Sequence, residues 1–145
     1  VEHLMAKNSE LEKTVEVLMR DIAKKEVEFL LDSAQKISNI RFIGAITALN
    51  MAAIKDMAFY LRNREKNLMM VLGAEEQGKA LLSVVITDDL IKAKGFNAGV
   101  IIKTIAQHIK GGGGGQPFFA TAGGKEPKGL QKAIDAAREI IKNID

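Results

Sequence analysis

Apolar residues in the first quarter of the chain recur at helical spacing, and neither Gly nor Pro interrupts them from Glu2 to about Lys36. Leu4, Leu11 and Leu18 return every seven residues, and Asn8, Val15, Ile22 and Phe29 fill the alternate seam. About three heptads with one polar seam position predict a coiled-coil helix whose register Asn8 fixes. Lys25 and Asp32 interrupt the leucine position, and the apolar face moves to Leu30, Ala34 and Ile37. The second half is therefore expected to pack on the globular domain, with Ser38-Asn39 ending the helix. A long helix this polar needs a partner, either a second copy or an antiparallel helix.

The pattern then changes. Ile40–Ile46, with Gly44 inside it, reads as a short strand. Asn50 caps an amphipathic helix over Met51–Arg64, whose buried face is Ala53, Ile54, Met57, Ala58 and Leu61. Asn67–Gly73 is a continuous apolar run of buried-strand type, Glu75–Gly78 a turn, and Ala80–Thr87 a second strand. Asp88–Lys94 predicts a short helix stopped by Gly95, with Asp88-Asp89 as capping residues in preference to metal ligands. Asn97 caps a helix over Ala98–Lys110, which buries Ala98, Ile101, Ile102, Ile105 and Ile109 and exposes Lys103, Gln107 and Lys110. Phe118–Ala122 is a further short strand. Pro127 opens the last helix, with Leu130, Ala133, Ile134, Ala137 and Ile141 facing inward. The fold class is α+β with α/β character. A long N-terminal coiled-coil-type helix (1–38) is expected to drive oligomerisation, and a small mixed sheet packed by helices (39–145) to form the globular domain.

Between the last two helical patterns lies Gly111–Lys125, GGGGGQPFFATAGGK, which holds seven of the thirteen glycines. Such a run is costly to order. Flexible linkers of this kind lack large apolar residues, whereas Pro117, Phe118 and Phe119 come at once and Gly123-Gly124 close the segment. The stretch is expected to be an ordered loop with bare backbone for a partner, the two phenylalanines acting as anchors.

Charge sharpens this. Residues 1–38 carry six basic and eight acidic side chains, net −2, and residues 39–145 carry fifteen and ten, net +5. A mildly basic domain suits a polyanionic partner. Without cysteine there is no disulfide or thiolate metal site, and a reducing, cytoplasmic setting is the natural fit. His3 and His108 cannot alone form a zinc site. No apolar run approaches the roughly 20 residues needed to cross a bilayer. Val1 opens in mid-helix pattern, so the chain is expected to be a piece of a longer one.

Familiar phosphate-binding motifs fail. Around Gly124-Lys125 a P-loop would need Gly where Phe119 stands and Ser or Thr where Glu126 stands. A dinucleotide fingerprint from Gly111 would need Gly at Gln116 and a preceding strand. No nucleophile elbow is present, and His108 reads as a surface histidine near a helix end. No catalytic constellation emerges. What is left is a backbone-rich segment, Gly111, Gly112, Gly113, Gly114, Gly115 and Gln116, flanked by Lys103, His108, Lys110 and Lys125. Glycine N–H groups can donate to phosphate or sugar oxygens at close range.

The strand-helix-strand-strand-helix order ending in GGGGGQPFFATAGGK closely resembles the DHHA1-type domain at the C-terminus of alanyl-tRNA synthetase. VLGAEEQGKALLSVVITDDL is similar to that family's paired strands, and the heptad helix to its preceding helical subdomain. The resemblance implies binding of alanine-specific tRNA at the elbow of its L-shape, self-association as a dimer through Leu4, Asn8, Leu11, Val15, Leu18 and Ile22, and assistance to aminoacylation and editing centres upstream. It implies no cofactor in this stretch, with ATP, and possible zinc, belonging to other domains of the parent ligase. Related domains also serve DHH-type phosphoesterases, but no Asp-His-His motif occurs here. A purely structural oligomerisation module is the other alternative. Many relatives carry Arg after the glycine run where this chain has Gln116, which can hydrogen-bond but cannot neutralise a phosphate.

Overall fold

The computed structural model describes residues 25–143. The expected seam residues Leu4, Asn8, Leu11, Val15, Leu18 and Ile22 lie outside the described residues. Helix α1 is described over 25–32 and ends earlier than its pattern suggested. The Ser33 N–H and hydroxyl both close onto the Leu30 carbonyl, at 3.1 and 2.8 Å. Gln35–Ile37 is not the helix's last turn but strand β1, paired antiparallel with β2 (Ile40–Ile46). Ser38 and Asn39, expected as a helix stop, form the two-residue hairpin turn between them, both with positive φ (51° and 67°). That is the backbone hand a tight hairpin requires.

From β2 the chain enters α2 (Met51–Arg64), whose bounds match its sequence pattern. The Asn50 side chain accepts the Ala53 N–H at 2.8 Å and caps it. Strand β3 (Leu68–Glu76) returns parallel to β2 and turns through Gln77-Gly78 into antiparallel β4 (Lys79–Ile86). Helix α3 (Asp88–Lys94) ends at Gly95 in the left-handed region. Helix α4 (Ala98–Ile105) is shorter than expected, tightening into a 3-10 turn over Ala106–Ile109 that Lys110 ends at φ 54°. Then come β5 (Gly111–Gly115), β6 (Phe119–Gly124), a 3-10 turn over Pro127–Gly129 and α5 (Leu130–Lys142).

The sheet has the order β1-β2-β3-β4-β6-β5 and is parallel only between β2 and β3. Alternation along the central strands splits the core into two layers. Phe42, Met69, Val71, Leu82 and Val84 face α4 and α5, while Ile43, Met70, Leu72 and Val85 face α1 and α2. Strand β3 is buried on both faces, which explains its unbroken apolar run.

The glycine run is therefore a strand. It is one edge of the sheet, β1 being the other, and runs antiparallel to β6 in the register Gly111↔Gly124 to Gly115↔Ala120. Phe119 opens the strand that pairs with it, one residue later than expected.

Candidate nucleic-acid interface

Pro117 and Phe118 make a two-residue turn between β5 and β6. Across it the Gln116 N–H donates to the Phe119 carbonyl at 2.9 Å, and the Phe119 N–H returns to the Gln116 carbonyl at 3.3 Å. The Ala98 N–H donates to the Pro117 carbonyl at 2.9 Å, tying the start of α4 to this turn. Phe118 is buried, meets Phe59 of α2 edge-on at 5.2 Å, and lies 3.8 Å below the Arg62 guanidinium. Phe119 packs partly buried against the α2-side core. Both phenylalanines thus anchor the hairpin, as anticipated.

Hydrogen-bonded and open pairs alternate along an antiparallel ladder. With Gln116↔Phe119 closed, the outward N–H and C=O groups belong to Gly111, Gly113 and Gly115. These same three glycines have no room for a side chain. A Cβ on Gly113 would strike the Thr121 carbonyl and stand 2.5 Å from the Ala122 Cα, and one on Gly115 would be 2.5 Å from the Phe119 carbonyl oxygen. On Gly111 it would strike the Gly123 carbonyl. Gly112 differs, since nothing lies within 4 Å of a Cβ built there, and at Gly114 the nearest neighbour is the Lys103 Cε at 3.7 Å. Packing explains three of the five glycines. At the other two, exposed Gly112 and half-buried Gly114, packing leaves room for a side chain.

The surrounding cations fall into place around this strand. Ala80, Gly124 and Gly111 share one rung of the sheet. One residue beyond it on each strand stand Lys79, Lys125 and Lys110, all exposed. Glu126 approaches the Lys110 ammonium at 3.7 Å, and Glu76 stands opposite Lys79 in the β3–β4 backbone register. Lys103 flanks the strand from α4, and Gln116 marks its far end. His108 is exposed on the 3-10 turn, and its carbonyl faces Gly129. Among the described residues no hydrogen bond or ion pair joins the His108 side chain to the glycine strand. Sequence reasoning missed Lys79. The β3–β4 hairpin was visible, but the β4–β6 register that brings Lys79 beside Lys125 was not.

The acidic pair has a different task from the expected capping. Thr87 occupies the N-cap position, and Asp88 and Asp89 form the first turn of α3. Asp88 accepts from Arg62 Nε at 3.3 Å, so the guanidinium bridges Phe118 and α3. Asp89 accepts the Asn67 N–H at 2.9 Å, just ahead of β3. Burial alone would raise the Asp89 carboxyl, but the Thr87 hydroxyl and the Asn67, Leu90 and Asp89 N–H groups around it together hold it below its ordinary value. Among the described residues no group of His, Cys, Asp or Glu is arranged to hold a metal ion. No described helix is long and apolar enough to cross a membrane.

Residues 39–143 match the family model of the DHHA1 domain. The chain belongs to the DHHA1 family. This DHHA1 chain is similar to the alanine–tRNA ligase of Christiangramia forsetii, 42% identical over 98% of this chain and 16% of that protein. It is also similar to the alanine–tRNA ligase of Cytophaga hutchinsonii, 36% identical over 98% of the chain and 16% of the relative. It thus spans about a sixth of the curated relatives it matches. Among solved structures, the C-Ala domain of Aquifex aeolicus alanyl-tRNA synthetase superposes with a TM-score of 0.68 at 22% identity, over 76% of this chain and 98% of that one, and so shares the fold.

Proposed function

We propose that this DHHA1 domain is the C-terminal tRNA-binding module of a cytoplasmic, ATP-dependent alanine–tRNA ligase, gripping alanine-specific tRNA at its elbow for the catalytic and editing domains upstream. The observation that carries this reading is the glycine edge strand, with outward peptide groups at Gly111 and Gly113, Gly115 lying against Gly99 of α4, and lysines at its end and flank. N–H donors and ammonium groups along one open edge suit phosphate and sugar oxygens. The relatives' ligase names supply the kind of RNA. Lys103, Lys110, Lys125 and Gln116 are the contacts, joined by Lys79; His108 stands at the margin.

Titrating the chain with tRNA over a range of salt tests this. Each of Lys79→Ala, Lys110→Ala and Lys125→Ala is expected to lower the slope of log affinity against log salt by about one phosphate contact. If the slope is unchanged in all three, the binding face lies elsewhere. If tRNA binds no better than to an acidic control protein, the reading fails.

Self-association is a second role of the same chain, assigned to segment 1–38 apart from the tRNA contacts of 39–145. Phe29 favours it: Val27 and Leu30 are buried, yet Phe29, in register with Asn8, Val15 and Ile22, is 69% exposed. A seam residue facing solvent is what a partner helix would cover. Sedimentation of a Leu11→Asp, Leu18→Asp double variant should give a monomer where the native chain gives a dimer. An unchanged dimer would remove this role from the helix.

A further inference from the structure

Helix α2 carries two aromatic residues, neighbours in sequence, that are left about half exposed. Phe59 is 51% and Tyr60 48% exposed, although Ala58 and Leu61 beside them are fully buried. Arg64, one turn on, holds its guanidinium 4.4 Å from the Tyr60 ring centroid. The helix has no acidic residue in its first turn, and Lys55 and Arg64 on the helix and Lys66 just beyond its end are exposed. Of the nearby acids, Glu65 is engaged by Arg41 at 2.8 Å and Asp88 by Arg62 at 3.3 Å, leaving Asp56, one turn before the rings. The rim of this apolar patch is therefore positive.

At Phe59 this face meets the glycine hairpin. Phe118, which closes the β5–β6 turn, touches Phe59 at 5.2 Å and lies under Arg62. A strand of five residues spans roughly 17 Å. A backbone laid along β5 from the lysine end thus leaves at Gln116, close to Phe118 and, through it, Phe59 of α2.

We propose that Phe59, Tyr60 and Arg64 form a base-stacking platform for unpaired nucleotides of the RNA whose backbone lies on the glycine edge. This rests on the tRNA-binding reading and adds to it a contact that senses bases, not phosphates. Aromatic rings and arginine planes are the surfaces on which splayed bases stack. The positive rim favours a polyanion over an apolar protein partner.

Tyr60 is the chain's single tyrosine, and tryptophan is absent, so intrinsic fluorescence reports this one side chain. The whole chain is titrated with oligouridylate and with a blunt RNA duplex of equal charge, occupancy being followed by anisotropy of labelled RNA. Oligouridylate is expected to quench Tyr60 emission, and the duplex to bind without quenching it. Tyr60→Ala should weaken tRNA binding roughly five- to hundredfold with an unchanged salt slope, and Tyr60→Phe should restore it. Emission unmoved at full occupancy, or wild-type affinity in Tyr60→Ala, overturns the platform. If the lysine variants still lower the salt slope in that case, the tRNA-binding reading stands without it. Loss of all RNA binding by the native chain defeats both. If Tyr60→Ala alters self-association but not tRNA affinity, the face docks protein and the platform is wrong.

Discussion

The Arg62 guanidinium lies against Phe118, 3.8 Å from its ring centroid, and reaches Asp88 from the same position. One side chain thus links the hairpin turn to α2 and the first turn of α3. The glycine edge is held from its tip, since the glycines have no side chains with which to hold themselves.

Removing that tip should therefore loosen the edge. Phe118→Ala is expected to cost about 3 kcal/mol, because it empties a buried aromatic site and strips Arg62 of its ring. Urea denaturation measures the loss, and faster amide exchange along β5 than along β3 would locate it. Equal exchange on both strands would mean that the turn does not support the edge.

The two kinds of glycine should separate in opposite directions. Gly113→Ala forces a Cβ into the β6 backbone and is expected to destabilise by about 3 kcal/mol. Gly112→Ala has open space and should keep or gain about 0.5–1 kcal/mol, through less chain entropy in the unfolded state. If bare backbone at position 112 serves the RNA, this stabilised variant binds tRNA more weakly than the native chain. Unchanged affinity in Gly112→Ala would show that RNA does not approach there.

Asp89 should leave a mark on the acid limb of stability. Its carboxyl is held below the ordinary value in the fold, so the unfolded chain takes up the proton first. The stabilisation is fully present above the unfolded value of about 4 and disappears as pH falls through the lower folded value. Asp89→Asn is expected to flatten that part of the stability curve, measured by urea midpoints from about pH 5 down to about 2. A native slope in the variant would assign the acid limb to other carboxylates.

How far the sequence discloses the molecule depends on whether side chains carry the signal. Met51–Arg64 was legible because Asn50, the helical spacing and the closing arginines agree on one helix. Gly111–Gly115 was not, since strand periodicity is written in side chains and glycine has none. Only pairing with Phe119–Gly124 makes that run a strand. Ser38-Asn39 shows a milder failure. Asn tolerates the left-handed region and ends helices or turns hairpins equally well, and Gln35-Lys36-Ile37 lacks the β-branched density that would have decided between them. Of the candidate site, Lys103, Lys110, Gln116 and Lys125 were visible through closeness in sequence to the glycines. Lys79 came in only through sheet register, and Tyr60 only through exposure.

An open sheet edge normally invites another strand, and an uncovered edge strand of five residues would be an aggregation hazard in most domains. Here the edge has neither the bulk nor the β-propensity that makes such pairing favourable, and Lys110 stands at its end. Blankness thus serves as protection: the strand can stay uncovered between encounters because it offers neighbouring chains almost nothing to hold.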